Sequence, residues 1–436
     1  MQIKKQPPVN LSLFAPSADI SKPFYGLPRQ IAFCRRCVYS NQKPNSEAEY
    51  KHTSASKKPT VNFDDEGICQ ACRTIEGKGL IDWVAREQEL RELCDRHRSS
   101  DGSYDCVVPG SGGKDSIFAA HVLKYKYGMH PLTVTFAPHL YTDWGWQNYN
   151  AWINTGFDNL LFSPNRRVQR LLTRLALENL FHPFQPFMMG QMYYPPKMAL
   201  LKNIKLVFYG ENPSDYGNAV GKELPTKELR YFTYGGTPDD ISIGGVSKRD
   251  LKAHFGLNDG DLETYMPPHT DTLLNSGIEV HYLGYYLRWH PQGCYYYAVE
   301  NADFKPSPER TAGTYSKYSS IDDKIDDFHY YTTFIKFGIG RATYDAAQEV
   351  RSGDITREEA VALVRRYDGE FPERFFDDIL KYLSLPTAEF PAAAGMFEQP
   401  VMDREYFRAL ADRFRSPHLW MWRDGQWCLR QRAFVD

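Results

Sequence analysis

The segment CVVPGSGGKDS, Cys106 to Ser116, sets a glycine-rich turn between an apolar run and a helix-forming run. Gly110, Gly112 and Gly113 let backbone N–H groups converge, and a helix N-terminus beyond them favours an anion. Ser111 and Ser116 add hydroxyl donors for phosphate oxygens. The spacing is not that of a Walker A loop, which needs G-x-x-x-x-G-K-[ST]. Nor is it a dinucleotide fingerprint, because Asp115 stands where the last glycine would fall. Asp115 would repel a bare phosphate, so its presence points to a bridging cation, most simply Mg²⁺. The residues describe a polyphosphate site with a metal; the plain alternative is a turn joining a strand to a helix.

Three further groups carry chemistry. YGENPSDYGN, Tyr209 to Asn218, follows an apolar run and offers Glu211 and Asp215. With Asp115, these two carboxylates could complete a magnesium site. Cys34, Cys37, Cys69 and Cys72 form two CxxC pairs, the pattern of one tetrahedral thiolate zinc. Such a closed site is structural; a redox CxxC is the weaker alternative. The stretch 284–343 mixes many aromatics with Arg310, Lys317, Lys324, Lys336 and Arg341. Aromatics beside fixed cations suit a sugar ring and an anionic group, with Arg310 and Lys317 as substrate contacts. The alternative there is a helical core with snorkelling basic residues.

The elements that must position these groups follow from hydrophobic pattern. Residues 1–30 read as a polar, proline-containing arm, and residues 31–100 as the cysteine module and a linking helix. The polar stretch between the CxxC pairs reads as an inserted loop, and no role is assigned to residues 38–60. In the linking helix Asp82 can cap the start, and Ile81, Val84, Leu90 and Leu93 recur at helical spacing. From residue 101 to 390, strands such as DCVVPG, PLTVTFAP, DNLLFSP and IKLVFYG alternate with helices. That alternation predicts βαβ units in an α/β, doubly wound parallel sheet, with ligands beyond the carboxyl ends of its strands. Later segments read as helical, including one with a capping box at Thr356 and Glu359. The 391–436 tail is unassigned, its tryptophans Trp420, Trp422 and Trp427 being suited to packing.

Composition narrows the function classes. The 436 residues hold 52 Lys+Arg against 54 Asp+Glu, a net charge of -2 that argues against a dedicated nucleic-acid binder. No membrane span and no signal peptide are read, and eight cysteines in this length are not a disulfide framework. A cytoplasmic protein with reduced thiols is expected.

SGGKDS resembles the S-G-G-x-D-S signature of the PP-loop ATP pyrophosphatases. That resemblance implies an adenine nucleotide alpha hydrolase-like sheet whose loop grips the pyrophosphate part of ATP. It implies further that AMP is left on a substrate oxygen and then displaced by a nucleophile. Lys114 occupies the variable position of the signature. YGENPSDYGN is similar to the acidic GEGADE-type segment of ammonia-using PP-loop synthetases, departing from it at Pro213 and Ser214, which favours Glu211 over Asp215. With the cysteine pairs, FDDEGICQACR, ERTAGTYSKYSSIDDKID and FIKFGIGRAT, the chain resembles the N-acetyl sugar amidotransferases of bacterial surface-polysaccharide biosynthesis. This implies ATP, Mg²⁺ and structural Zn²⁺, and conversion of an acetamido group of an N-acetylated sugar to acetamidino through an adenylylated imidate. Asp115 and Glu211 would be catalytic with the metal, and Lys336 or Arg341 would steady the transition-state oxygens. No cysteine sits in a recognisable glutaminase arrangement, so ammonia is expected from a separate glutaminase subunit. A tRNA-thiolating PP-loop enzyme and an inactive ATP-binding scaffold are the rival readings.

Overall fold

Four short apolar runs and a fifth near residue 280 build the centre of the chain. The computed structural model describes residues 3–18, 22–211, 224–385 and 399–434. Two helices precede the sheet, α1 (Gln70–Lys78) and α2 (Trp83–His97). The alternation then runs β1 (Cys106–Pro109), α3 (Lys114–Tyr125), β2 (Pro131–Phe136), α4 (Asp143–Asn154) and β3 (Asn159–Phe162). It continues with α5 (Arg166–Leu180), α6 (Gln185–Lys202), β4 (Leu206–Tyr209) and, after shorter elements, β5 (Glu279–Tyr282). The five strands pair in parallel in the order β3-β2-β1-β4-β5. Chain order reverses direction at β1, where the β1 and β4 ends diverge and leave a crevice. The buried residues of β1 and β2 are near-continuous, as a sheet covered on both faces requires.

Asp82 caps α2 by accepting from the Val84 and Ala85 N–H groups, both at 3.0 Å. The buried face of α2 is Leu90, Leu93 and Cys94; Val84, expected on that face, is exposed because it lies in the first turn, before the helix reaches the core. Before β4, α6 runs through Pro195 and Pro196 as eighteen residues. β5 stops at Tyr282 and the chain turns at once into a single helical turn, Leu283–Tyr286.

Beyond the sheet lie α7 (Pro291–Ala302), α8 (Asp326–Phe337), α9 (Arg341–Ser352), α10 (Arg357–Tyr367), α11 (Phe376–Leu383), α12 (Arg404–Phe414) and a hairpin of β6 (Trp420–Arg423) with β7 (Gln426–Leu429). Thr356 and Glu359 close the expected capping box on α10. The N-terminal stretch read as an arm is packed rather than loose. Phe14 meets the Trp427 ring edge-on at 4.7 Å, and the Tyr25 hydroxyl donates to Phe414 O at 2.8 Å. The tail tryptophans do pack, with Trp420 Nε1 donating to Ile335 O at 2.8 Å.

Candidate functional site

β1 delivers the glycine turn to the carboxyl edge of the sheet, and Gly113 is the N-cap of α3. Two of its glycines are required by close approach. Gly112 has φ +86°, and a Cβ there would stand 2.6 Å from the Tyr149 Cα. A Cβ on Gly110 would overlap the Ser116 side chain. A Cβ on Gly113 would meet only Ser111 Oγ, at 4.0 Å. Gly110, Ser111, Gly113, Asp115 and Ser116 line a cavity of about 500 Å³, and Glu211 lines it from the end of β4. Asp215 lies outside the described residues.

Lys114, in the variable position, is buried beside this cavity, and its Nζ donates to both Asp115 carboxylate oxygens, at 2.7 and 2.6 Å. Burial works against its charge, yet Asp115, Cys294 and Glu211 together raise its pKa above the ordinary lysine value. The charge on Asp115 is therefore already partly answered by protein, in addition to any bridging cation.

A second cation was not legible in the sequence. Lys227 lines the same cavity and is buried. Its N–H donates to Val280 O at 2.8 Å, and Thr226 bridges to His281, so the segment is tied alongside β5. Its Nζ stands over the Tyr209 ring at 4.3 Å and the Phe232 ring at 5.7 Å. Burial pushes its pKa down to about 8, with Glu211 opposing.

The loop before α8 supplies a further part of the wall. Ser320 and Asp322 line the cavity together with Ser111. Burial raises the Asp322 pKa, the nearby Ser111 side chain opposes it, and Asp323 adds to the rise. Asp323 is spent on structure, accepting from the His139 N–H at 2.6 Å and from His139 Nδ1 at 2.7 Å. Ser46, Glu47 and Glu49 complete the wall, so the unassigned 38–60 stretch contributes to the site.

The cations expected from the later stretch are placed elsewhere. Lys336 does not line the cavity; its Nζ donates to Leu180 O at 2.7 Å beneath the Tyr25 ring. Arg341 is buried one layer back, holding Asp345 and donating to Ser320 Oγ at 3.2 Å, so it reaches the cavity only through Ser320. Arg310 makes a paired contact with Glu370 at 2.5 and 2.6 Å, and Lys317 donates to Pro308 O at 2.9 Å, both away from the cavity. Sequence proximity to a motif does not fix direction: these side chains follow their own helices and loops into other contacts.

Residues 312–433 match the family model described as the C-terminal domain of WbpG-like LPS biosynthesis proteins. The chain carries a WbpG-like region. The matched residues begin just before the cavity-lining loop and run through the hairpin. An uncharacterized protein of Methanocaldococcus jannaschii, MJ1599, is 35% identical over 83 residues, which make up 19% of this chain and 29% of that protein. The match thus spans under a third of that relative's length.

The four cysteines form a separate centre. Cys34, Cys37, Cys69 and Cys72 are all buried, with their sulfurs mutually within 4.8 Å. Cys34 and Cys72 sulfurs are 3.9 Å apart, and those of Cys37 and Cys69 3.7 Å. Zn–S bonds of about 2.3 Å in a tetrahedron require sulfurs about 3.8 Å apart, so the donor set fits one zinc ion. Backbone N–H groups of Arg36, Cys37 and Cys69 point at the Cys34 sulfur. Arg351 of α9 and Lys43, both buried, stand over the Tyr39 ring beside these thiolates and offset their charge. The module packs on Ala346, Ala347, Ala360 and Val364 of the WbpG-like region. No helix among the described residues is long and apolar enough to cross a membrane.

Proposed function

We propose that this chain is an ATP-dependent amidotransferase that converts an acetamido group of an N-acetylated sugar to acetamidino, releasing AMP and pyrophosphate. The observation that carries this reading is that the glycine turn and the WbpG-like region share one cavity, lined by Ser111 from the turn and by Ser320 and Asp322 from that region. One wall offers a pyrophosphate grip; the other belongs to a region similar to polysaccharide-biosynthesis proteins.

On this reading ATP lies along the turn. Ser111, Ser116 and the N-terminal N–H groups of α3 hold the β- and γ-phosphates. Asp115 and Glu211 would hold Mg²⁺, which supplies charge neutralisation at the departing pyrophosphate. Lys227, desolvated beside Tyr209, meets the α-phosphate as its oxygens gain charge. Asp322 accepts from the acetamido N–H and so turns the acetamido oxygen toward the α-phosphorus. That oxygen attacks, the bond to pyrophosphate breaks, and an O-adenylyl imidate remains. Ammonia from a separate glutaminase subunit then displaces AMP. Arg341 positions Ser320, and the zinc module braces the region that carries both.

The test is pyrophosphate release by the purified chain with ATP, Mg²⁺, an ammonium salt and a panel of N-acetylated sugars and nucleotide sugars. Release that depends on one sugar and is accompanied by AMP supports the reading. Release of ADP and phosphate, or release indifferent to every sugar but stimulated by tRNA, contradicts it.

A further inference from the structure

Arg351 lies in the last turn of α9 and is only 8% exposed. Its three guanidinium nitrogens are buried without a hydrogen-bond partner. A guanidinium stays charged at any physiological pH, and a buried charge with no partner is among the costliest arrangements in a native interior. The guanidinium stands over the Tyr39 ring at 4.8 Å. A cation–π contact with one ring recovers less than the hydration lost on burial. Nor is Tyr39 an anion, because burial pushes its hydroxyl up to about 12. The counter-charge must come from beyond that ring.

The cysteine centre can supply it. Tyr39 leaves the first CxxC pair, and its N–H donates to Cys37 Sγ at 3.5 Å. Burial works against the charge of Arg351, and Tyr39, Cys37 and Cys72 favour it. As free thiols the four cysteines are neutral near pH 7. As thiolates around one Zn²⁺ they carry two negative charges between them. Arg351 therefore gains its counter-charge only with the metal in place. Lys43 is the other cation over Tyr39, at 5.5 Å, but its Nζ already donates to Pro44 O at 3.2 Å. The contact is wider than one side chain. Arg357 Nε of α10 donates to Cys34 O at 3.4 Å, and the Tyr344 ring of α9 meets Tyr39 edge-on at 5.9 Å.

We infer that Arg351 is the buried counter-ion of the zinc centre, so that metal binding and the docking of the WbpG-like region on the cysteine module stabilise each other. The coupling is reciprocal. Zinc is held more tightly where α9 is docked, and α9 docks more firmly where zinc is bound. Arg351 is no metal ligand; it acts on the metal through the charge of the thiolates. The inference is independent of the reaction carried out in the cavity.

The test measures zinc transfer from the full chain to a chromogenic chelator, and the melting temperature with zinc bound and removed. Arg351→Met keeps an unbranched apolar stem and removes the charge. It should weaken zinc binding by about 10- to 100-fold, the scale of partners just outside a ligand set. The melting temperature of the zinc-loaded chain should fall, while that of the metal-free chain should stay or rise, because there the variant removes a cation without a counter-charge. Arg351→Lys keeps the charge and should hold zinc more tightly than Arg351→Met. Arg351→Gln should behave as the methionine variant does, and it reports on the proposal should that variant not fold. Unchanged zinc affinity, or equal falls in melting temperature with and without zinc, would overturn the coupling. A wild-type chain that binds no zinc would overturn the metal centre itself.

Discussion

Ser111 in the glycine turn and Asp322 in the WbpG-like region line one and the same cavity. The shared cavity brings the element suited to phosphate together with the region similar to polysaccharide-biosynthesis proteins. If Asp322 orients the acetamido group, Asp322→Ala should cut kcat/KM for the sugar by about 10²-fold, the scale of a misplaced reactant. KM for the sugar should rise more than KM for ATP in initial-rate kinetics. A selective rise in the ATP value would assign Asp322 to the nucleotide instead.

Asp115 serves two ends, and a double variant separates them. Asp115→Ala removes a ligand for the proposed metal and also strips the buried Lys114 of its partner. Pyrophosphate release should fall by about 10²–10³-fold, and chemical denaturation should show a loss of about 1–3 kcal/mol from the unpaired buried group. Adding Lys114→Met should restore most of the stability and none of the activity. Restored activity would remove Asp115 from the chemistry.

Lys227 sets a pH limit. Its folded pKa of about 8 lies below the ordinary lysine value of 10.5. The cation is present below pH 8 and is lost as pH rises through 8, so the adenylylation rate should decline there. In Lys227→Met that decline should vanish from an already low profile. The linkage for stability has the opposite sign. Between about pH 8 and 10.5 the unfolded chain binds the proton that the folded chain has shed, so this residue makes stability rise with pH across that window. A pH–rate profile unaltered in shape by Lys227→Met would contradict the assignment.

The cysteine module should carry zinc. Elemental analysis of the isolated chain should find one zinc ion, and Cys37→Ser or Cys69→Ser should lose it. Structural zinc binding in small peptides amounts to about 10–16 kcal/mol, so its removal should unfold the module. The melting temperature should drop, because the module packs directly on α9 and α10. Full thermal stability after complete chelation would contradict a structural role.

The glycine turn, the α2 cap, the capping box on α10 and the cysteine pairs were legible because each is specified by residues within a few positions of one another. The parallel sheet was legible from alternation alone. Lys227, Ser320, Asp322 and Glu49 were not. Each reaches the cavity through long-range placement: pairing alongside β5, a loop ahead of α8, and a stretch between the two CxxC pairs. Lys336 and Arg341 mislead for the converse reason. Both lie in a motif beside the right region, but helical phase turns Lys336 toward Leu180 O and Arg341 toward Asp345.

The central claim is that the acetamido oxygen itself attacks the α-phosphorus of ATP. An N-acetylated sugar labelled with heavy oxygen in its acetamido carbonyl, incubated with the chain, ATP, Mg²⁺ and ammonium, should yield AMP carrying the label. The sugar product should show the mass of NH in place of the labelled oxygen. Label retained in the sugar, or unlabelled AMP formed alongside an amidine product, would contradict the account.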